Sequence, residues 1–160
     1  YGGTSDEFGQ SILQTSDDGF VILSSIEPFG DDNNAVNVIR ISSSGEVIWE
    51  KTFGSGDGVR GSNTIQNTND DNFILTYNSF DHLKDGYNTW LVKINDSGYI
   101  EWGRIFINED SDFGHSCVQT LDGGYAITGS TFNLGNGNKD FGDLWLLKTD
   151  ERGVVALPSN

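Results

Sequence analysis

The sequence predicts an all-β fold built from three repeated antiparallel sheets, and three observations support this. A motif that begins at Asp17 as DDGFVIL returns at Asp70 as DDNFILT and at Asp122 as DGGYAIT, a spacing of about 53 residues. Each unit contains short runs rich in β-branched and aromatic residues, separated by Gly, Asn and Asp at turn positions. No stretch keeps the apolar period of a helix for more than one turn.

Each unit has four short β-type runs. In the first unit these are SILQT (11–15), FVILSSI (20–26), VNVIRI (36–41) and EVIWEKTF (46–53). In the second they are NTIQNT, FILTYN, TWLVKI and YIEWGRIF, and in the third SCVQT, YAITGS, LWLLKT and a shortened VVAL. Most runs are continuously apolar, which predicts burial on both faces of each sheet. The units extend approximately over 1–53, 54–106 and 107–160.

Two sets of turn residues recur in step with the runs. The set between runs one and two is Asp17-Asp18-Gly19, Asp70-Asp71-Asn72 and Asp122-Gly123-Gly124. The set between runs three and four is Ser43-Ser44-Gly45, Asp96-Ser97-Gly98 and Glu151-Arg152-Gly153. These residues tolerate left-handed backbone angles, so both sets predict tight hairpins, whereas longer polar loops join runs two and three.

A basic residue recurs in the third run of every unit, at Arg40, Lys93 and Lys148. We expect each to pair with the carboxylate that opens the first turn of its unit, a structural role. Tryptophans also recur in register, Trp49 with Trp102 and Trp90 with Trp145, which predicts that they fill the core between neighbouring sheets.

Repeated four-stranded antiparallel units that pack face to face are typical of β-propeller blades. A β-sandwich is the alternative, but it does not need three near-identical units. The predicted fold is therefore a β-propeller-type array of three four-stranded antiparallel blades. In the third blade Leu157 replaces the recurring tryptophan and Pro158 blocks further ladder hydrogen bonds, so its outer strand is expected to be shortened.

The motifs YGG, QT-(S/L)-D-(D/G)-G-(F/Y), D-x-W-L-x-K-x-(D/N)-x-x-G and W-x-(K/R)-x-(F/Y) resemble a known repeat. This is the roughly 50-residue propeller repeat of secreted and cell-surface bacterial and archaeal proteins. The resemblance covers nearly the whole chain and implies an extracellular or cell-surface location. It implies no catalytic residue in this sequence.

The charge balance limits the classes of partner. The chain has 24 acidic against 9 basic residues, a net charge of −15, which repels phosphate backbones and anionic lipids. Nucleic acid and membrane surfaces are therefore poor partners, and no apolar run approaches the roughly 20 residues of a membrane span. The one cysteine, Cys117, excludes an internal disulfide and is predicted to be a small core residue.

Three blades are too few to close a propeller, which needs at least about four. Two broad apolar faces would stay open, larger than soluble proteins tolerate. We therefore expect either that identical chains form a ring of six or more blades, or that the chain is one piece of a larger protein or assembly. The predicted function is an extracellular structural or protein-interaction module whose partners are other blades.

Two alternatives give the loops between runs a binding function. Clustered carboxylates at flexible turns suit calcium, the only cofactor that the sequence favours. The candidate ligands are Asp31, Asp32, Asp110, Asp112, Asp140 and Asp143. Aromatic residues in the loops, which are taken as not recurring from unit to unit, are candidates for glycan binding, namely Phe29, Phe80, Tyr87 and Phe132. A simple solvated acidic face remains the competing interpretation of these carboxylates.

The sequence does not favour an enzyme. His82 and His115 are the only histidines, and neither has a metal-ligand partner at a useful spacing. His115 is predicted to lie just before the first strand of the third unit as a hydrogen-bonded surface histidine. No nucleophile context or phosphate-binding glycine loop followed by a helix is present.

Overall fold

The computed structural model describes residues 1–27, 34–54, 58–107, 111–132 and 142–155, with side chains for all of these except residues 60–63. Within these ranges the chain contains strands and turns but no helix, and the strands form three antiparallel sheets. The prediction of an all-β fold with repeated antiparallel sheets is confirmed. The sheets do not close on one another.

Each sheet is a simple antiparallel series in which every strand pairs with its neighbour in sequence. Sheet 1 contains β1 (Asp6–Gln14), β2 (Phe20–Glu27), β3 (Ala35–Ile41) and β4 (Val47–Phe53). Sheet 2 contains β5 (Arg60–Asn67), β6 (Phe73–Asp81), β7 (Gly86–Ile94) and β8 (Ile100–Phe106). Sheet 3 contains β9 (Asp112–Gln119), β10 (Tyr125–Thr131) and β11 (Asp143–Thr149).

Sheet 3 has three strands where sheets 1 and 2 have four. Of the predicted run VVAL, Val155 makes one antiparallel bridge with Thr149, and residues 156–160 lie outside the described ranges. Within those ranges the edge of β11 is thus paired at a single residue on its outer side.

The tight turns form where the sequence predicts them, because their residues accept a positive φ. The middle residue of the first hairpin has a φ of 62° at Asp18, 58° at Asp71 and 83° at Gly123. In the second set of turns the φ is 86° at Gly45, 78° at Gly98 and 74° at Gly153. Asp and Gly are among the residues that reach this region at low steric cost, so the predicted hairpins are confirmed.

The long loop predicted between the second and third runs of the second unit is wrong. The strands β6 and β7 continue to Asp81 and from Gly86, and these two residues are the last Cα partners of the pair. Only a four-residue turn remains, in which Lys84 N donates to Asp81 O at 3.2 Å. The polar residues that suggested a loop therefore belong to a paired strand end.

Sheet 2 is buried on both faces, as the continuous apolar runs predict. In β6, Phe73 and Leu75 belong to a core shared with sheet 1, whereas Ile74 between them belongs to a core shared with sheet 3. We name these the first core and the second core. The recurring tryptophans pack against them, Trp49 and Trp90 on the first and Trp102 and Trp145 on the second, which confirms their predicted role.

The sheets are also joined along their first strands. The strand β5 contacts β1 on one side and β9 on the other, and Ile65 N donates to Ser11 Oγ at 3.4 Å. Neighbouring sheets thus meet through their broad faces and through their first strands. This arrangement brings β1, β5 and β9 next to one another.

The recurring basic residues pair with the turn carboxylates, as predicted. Arg40 Nη2 lies 3.0 Å from Asp17 Oδ2, Lys93 Nζ pairs with Asp70, and Lys148 Nζ lies 2.9 Å from Asp122 Oδ2. The pKa of Asp122 is held well below its usual range by hydrogen bonds from the Thr120 hydroxyl, then from Lys148 and the Gly124 N–H. Each pair fastens a third strand to the first hairpin of its own sheet.

For Asp70, burial acts to raise the pKa, but hydrogen bonds from Lys93 and Thr68 outweigh it and lower the pKa. A carboxyl whose pKa is lower in the folded chain stabilises it above the unfolded value of 3.8, and this stabilisation is lost as the pH falls through the folded value. The free energy of unfolding should therefore fall as the pH drops below about 4.

Asp70→Asn should make the free energy of unfolding fall less steeply as the pH drops. The slope can change by at most the contribution of one proton, because a single carboxyl binds no more than one. Urea unfolding measured at a series of pH values from neutral to strongly acidic tests this. The control is Asp71→Asn, which changes the adjacent exposed carboxyl and keeps a residue that tolerates the positive φ. Equal slopes for Asp70→Asn and the unmodified chain would contradict the assigned role.

Candidate functional site

The three sheets share one pairing register, and this identifies equivalent positions. The Cα partners on the second and third strands are Ile22 with Ile39, Leu75 with Val92 and Ile127 with Leu147. Counting from these pairs, one equivalent set on the third strands is Val38, Leu91 and Leu146, and another is Val36, Thr89 and Leu144. The burial of equivalent residues can then be compared directly.

Two leucines of sheet 3 are exposed at positions that are buried in the other sheets. Val38 and Leu91 are fully buried, in the first and second core, whereas Leu146 is 71% exposed. Leu144 is 81% exposed, although its equivalents are fully buried as well. Val118 in β9 is also exposed on this side. We name Val118, Leu144 and Leu146 the downstream face of sheet 3.

Sheet 1 shows the same contrast on its opposite side. Ile65 in β5 is buried in the first core and Cys117 in β9 in the second, but the equivalent Ile12 in β1 is 61% exposed. Phe8 is about half exposed and Ile22 is half buried. We name Ile12 and Ile22, which are Cα partners, the upstream face of sheet 1. Within the described ranges, no sheet covers either face.

Asn37 stands on sheet 1 where Trp90 and Trp145 stand on the other sheets. Its Nδ2 donates to Glu50 Oε1 at 2.6 Å, and its side chain is buried. A pocket lined by Ile22, Ile39 and Asn37 lies beside it. The upstream face of sheet 1 therefore has a recess where the equivalent faces carry an indole ring.

Three of the candidate glycan-binding aromatics, Phe80, Tyr87 and Phe132, belong to one series of ring contacts that runs through Phe113. Phe80, near the end of β6, and Tyr87, near the start of β7, are Cα partners with ring centroids 5.1 Å apart. Tyr87 contacts Phe113 across the junction of sheets 2 and 3 at 4.8 Å, and Phe113 lies 6.3 Å from Phe132. We name these four residues the aromatic row. Phe29 lies outside the described ranges.

Phe80 and Tyr87 lie in β6 and β7 rather than in a loop, which corrects that part of the prediction, whereas Phe132 directly follows the end of β10. Phe80 lies five residues after Leu75, and Phe132 lies five residues after the equivalent Ile127, so the two positions recur. The sequence prediction missed Phe113, which joins the two sheets in the row. Its repeat spacing could have found it, because Phe8 and Phe113 pair with the equivalent Ser25 and Ser130.

The candidate calcium ligands are only partly described. Asp31, Asp32, Asp110 and Asp140 lie outside the described ranges. Asp112 and Asp143 are both Cα partners of Thr131, from β9 and β11, but Asp112 is buried and Asp143 is exposed. Across the described residues, no group of three or more potential metal ligands comes together. The carboxylates of Asp112 and Asp143 alone supply fewer oxygens than the roughly six to eight that calcium takes.

The remaining candidates for chemistry have structural roles. His115 lies within β9 rather than before it, which corrects its predicted position, and its Nε2 lies 3.0 Å from Ser130 Oγ on the surface as expected. Burial raises the pKa of the Cys117 thiol to about 12, so the thiol stays protonated and unreactive. Its predicted role as a core residue is confirmed.

No protein-family model matches this chain, and no curated protein sequence matches it. Among the described residues no helix has the length and apolar character needed to cross a membrane. Within the described residues, two exposed apolar faces have no neighbouring sheet against them. The count of three units predicted such faces, but only the shared register identifies their residues.

Proposed function

We propose that this chain is a β-propeller-type array that acts as an extracellular structural or protein-interaction module. Its two end faces, which are the downstream face of sheet 3 and the upstream face of sheet 1, pack against further sheets of the same kind. The observation that carries the proposal is the exposure of Leu144 and Leu146 at positions that are fully buried wherever a following sheet is present. The extracellular location is supported by the resemblance of the repeat motifs.

The contacts between neighbouring sheets support the radial arrangement. Trp49 Nε1 donates to Asp96 O at 2.8 Å, so the last strand of sheet 1 holds a turn of sheet 2. The turn residue Gly98 lies against the Trp49 ring, since a Cβ there would come within 3.0 Å of it. Gly153 lies against Trp102 in the same way, at 2.8 Å. One mode of packing thus repeats from sheet to sheet, as a propeller requires.

The free energy of leaving the faces open also supports the proposal. Burying one leucine side chain contributes about 1.5–3 kcal/mol. Leu144 and Leu146 alone would therefore contribute several kcal/mol on contact with another sheet, comparable to the whole stability of many domains. In a structural or interaction module these faces contact a partner, whereas in a monomer they would stay exposed to water.

The alternative, glycan or calcium-dependent binding by the acidic loops, has less support. The described aromatics of that candidate site pack against one another, and most of the candidate calcium ligands lie outside the described ranges.

Sedimentation of the isolated chain tests the proposal. We expect particles heavier than the 17.5 kDa of one chain, because contact through the end faces removes apolar surface from water. The double variant Leu144→Glu/Leu146→Glu should lose this association, since it places charges in the contact.

The matched control is Leu83→Glu, in the β6–β7 turn, where the leucine is 98% exposed and remote from both faces. Its sedimentation should equal that of the unmodified chain. A stable and well-folded monomer at all protein concentrations would contradict the proposed function.

A further inference from the structure

We infer that the partner of both end faces is a second copy of this chain. The downstream face of sheet 3 in one copy packs on the upstream face of sheet 1 in the other, and the reciprocal contact closes a ring of six sheets. This inference rests on the proposed function and adds the identity of the partner, its orientation and the number of copies.

The chain already contains this contact between neighbouring sheets twice. In the first core, Val36 and Val38 of sheet 1 pack with Ile65 of sheet 2. In the second core, Leu91 of sheet 2 packs with Cys117 of sheet 3. The equivalent residues at the chain's own ends are Leu144 and Leu146 on the downstream side, and Ile12 on the upstream side. The two open faces are therefore matched to each other by the repeat.

The aromatic row also has equivalent residues at the two ends of the chain. At the junction of sheets 2 and 3, Phe113 packs against the ring pair of Phe80 and Tyr87. Phe132, the equivalent of Phe80, is exposed at the corresponding place on sheet 3, and Phe8, the equivalent of Phe113, is exposed on sheet 1. A second copy in the same packing mode brings Phe8 next to Phe132, so the row continues across the contact.

A hydrogen bond near the first hairpins has equivalent partners at the two ends of the chain. Asn69 N of sheet 2 donates to Gln119 Oε1 of sheet 3 at 2.7 Å. The equivalent donor on sheet 3 is the N–H of Leu121, and the equivalent acceptor on sheet 1 is the side chain of Gln14; both residues are exposed. The same bond can therefore form between Leu121 of one copy and Gln14 of the other.

Ring size follows from the number of sheets. A contact between two different faces of one chain is heterologous, so it forms a closed ring if the rotation per sheet closes and an open filament if it does not. Propellers close with about four to eight blades. For the 160-residue chain by itself, two copies supply six sheets, which lies within this range, whereas one copy supplies too few and three copies supply too many.

Chemical cross-linking tests the orientation. One variant carries Ile12→Cys and a second carries Leu146→Cys, and a short bis-maleimide is added to each alone and to their mixture. We expect a covalent dimer in the mixture only, because these positions meet between copies and not within one. The native Cys117 is buried and its thiol stays protonated, so it should not react.

The double variant Ile12→Cys/Leu146→Cys tests closure. Cross-linking should stop at the covalent dimer, whereas a ladder of larger species would indicate an open filament and overturn the ring. In the matched control, Ile12→Cys is combined with Leu83→Cys instead of Leu146→Cys. No cross-link should form in this variant. If Leu146→Cys weakens association by itself, Leu144→Cys on the same face replaces it.

The outcomes separate this inference from the proposed function. Cross-links in Ile12→Cys alone indicate contact between like faces and overturn the inference, as does an associated chain that gives no Ile12–Leu146 cross-link. Both results leave the proposed packing of further sheets intact. A chain that aggregates or stays unfolded on its own also overturns the inference and leaves the proposed packing of further sheets intact. A stable, folded monomer overturns the inference and the proposed function together.

Discussion

Replacing Leu91 by alanine should lower the free energy of unfolding by about 2–5 kcal/mol, the range observed when a buried leucine is truncated. Leu91 is fully buried in the second core, together with Ile74 of sheet 2 and Ile127 of sheet 3. Truncation removes three carbon atoms from this core and leaves a cavity between two sheets, which cannot collapse without moving both. Urea unfolding with an unchanged m-value measures the loss.

Leu146→Ala is the matched control, because Leu146 occupies the equivalent position in β11 and is largely exposed. In the dissociated chain its effect should stay within about 0.5 kcal/mol, as for other surface substitutions. In the associated chain the same substitution should weaken assembly, since the side chain then enters a contact. Equal losses for Leu91→Ala and Leu146→Ala in the dissociated chain would contradict the assignment of the downstream face.

The parts of the fold that the sequence predicts well are those with local causes. Asp18 and Gly45 mark turns because few residues accept a positive φ, and the marks recur at one spacing. The pairing of Arg40 with Asp17 was predictable in the same way, from a charge that recurs opposite a recurring carboxylate. These signals need no knowledge of how the sheets pack.

The strand ends of sheet 2 could not be predicted, because their polarity has a tertiary cause. Asn78 and Thr89 border the predicted loop, at the ends of the runs FILTYN and TWLVKI, and Asn88 lies within it, yet all three are buried within β6 and β7. Their polar atoms are satisfied by neighbours that only packing brings close, including the backbone of Gly114 in sheet 3. In the sequence the polar stretch 79–88 is therefore typical of a loop, and Phe80 and Tyr87 lie within it.

The end faces show the same division between local and tertiary information. Counting blades predicts that two apolar faces stay open, and this needs only the repeat. That Ile12 and Leu146 lie on those faces, while Ile65 and Leu91 do not, depends on which side of each strand faces a neighbour. Side-chain direction alternates along a strand, so an error of one residue in the register would exchange the two faces.

The second large effect should come from Asn78→Ala, which removes the centre of a buried polar network between sheets 2 and 3. Asn78 Nδ2 donates to Gly114 O at 3.2 Å, and Asn78 Oδ1 accepts from Gly114 N at 2.9 Å and from Thr89 Oγ1 at 3.1 Å. Each buried group that loses its partner costs about 1–3 kcal/mol. We therefore expect a loss of at least this size in urea unfolding.

Asn69→Ala is the control for Asn78→Ala, because Asn69 lies exposed in a turn of the same sheet, and its effect should stay within about 0.5 kcal/mol. A double-mutant cycle with Thr89→Val separates the network from simple loss of volume. Since Thr89 Oγ1 bonds to the Asn78 side chain and accepts from Gly114 N at 2.7 Å, the two substitutions should be coupled by about 0.5–3 kcal/mol. Additive effects would mean that the two side chains act separately, and the polarity of these strand ends would then need another cause.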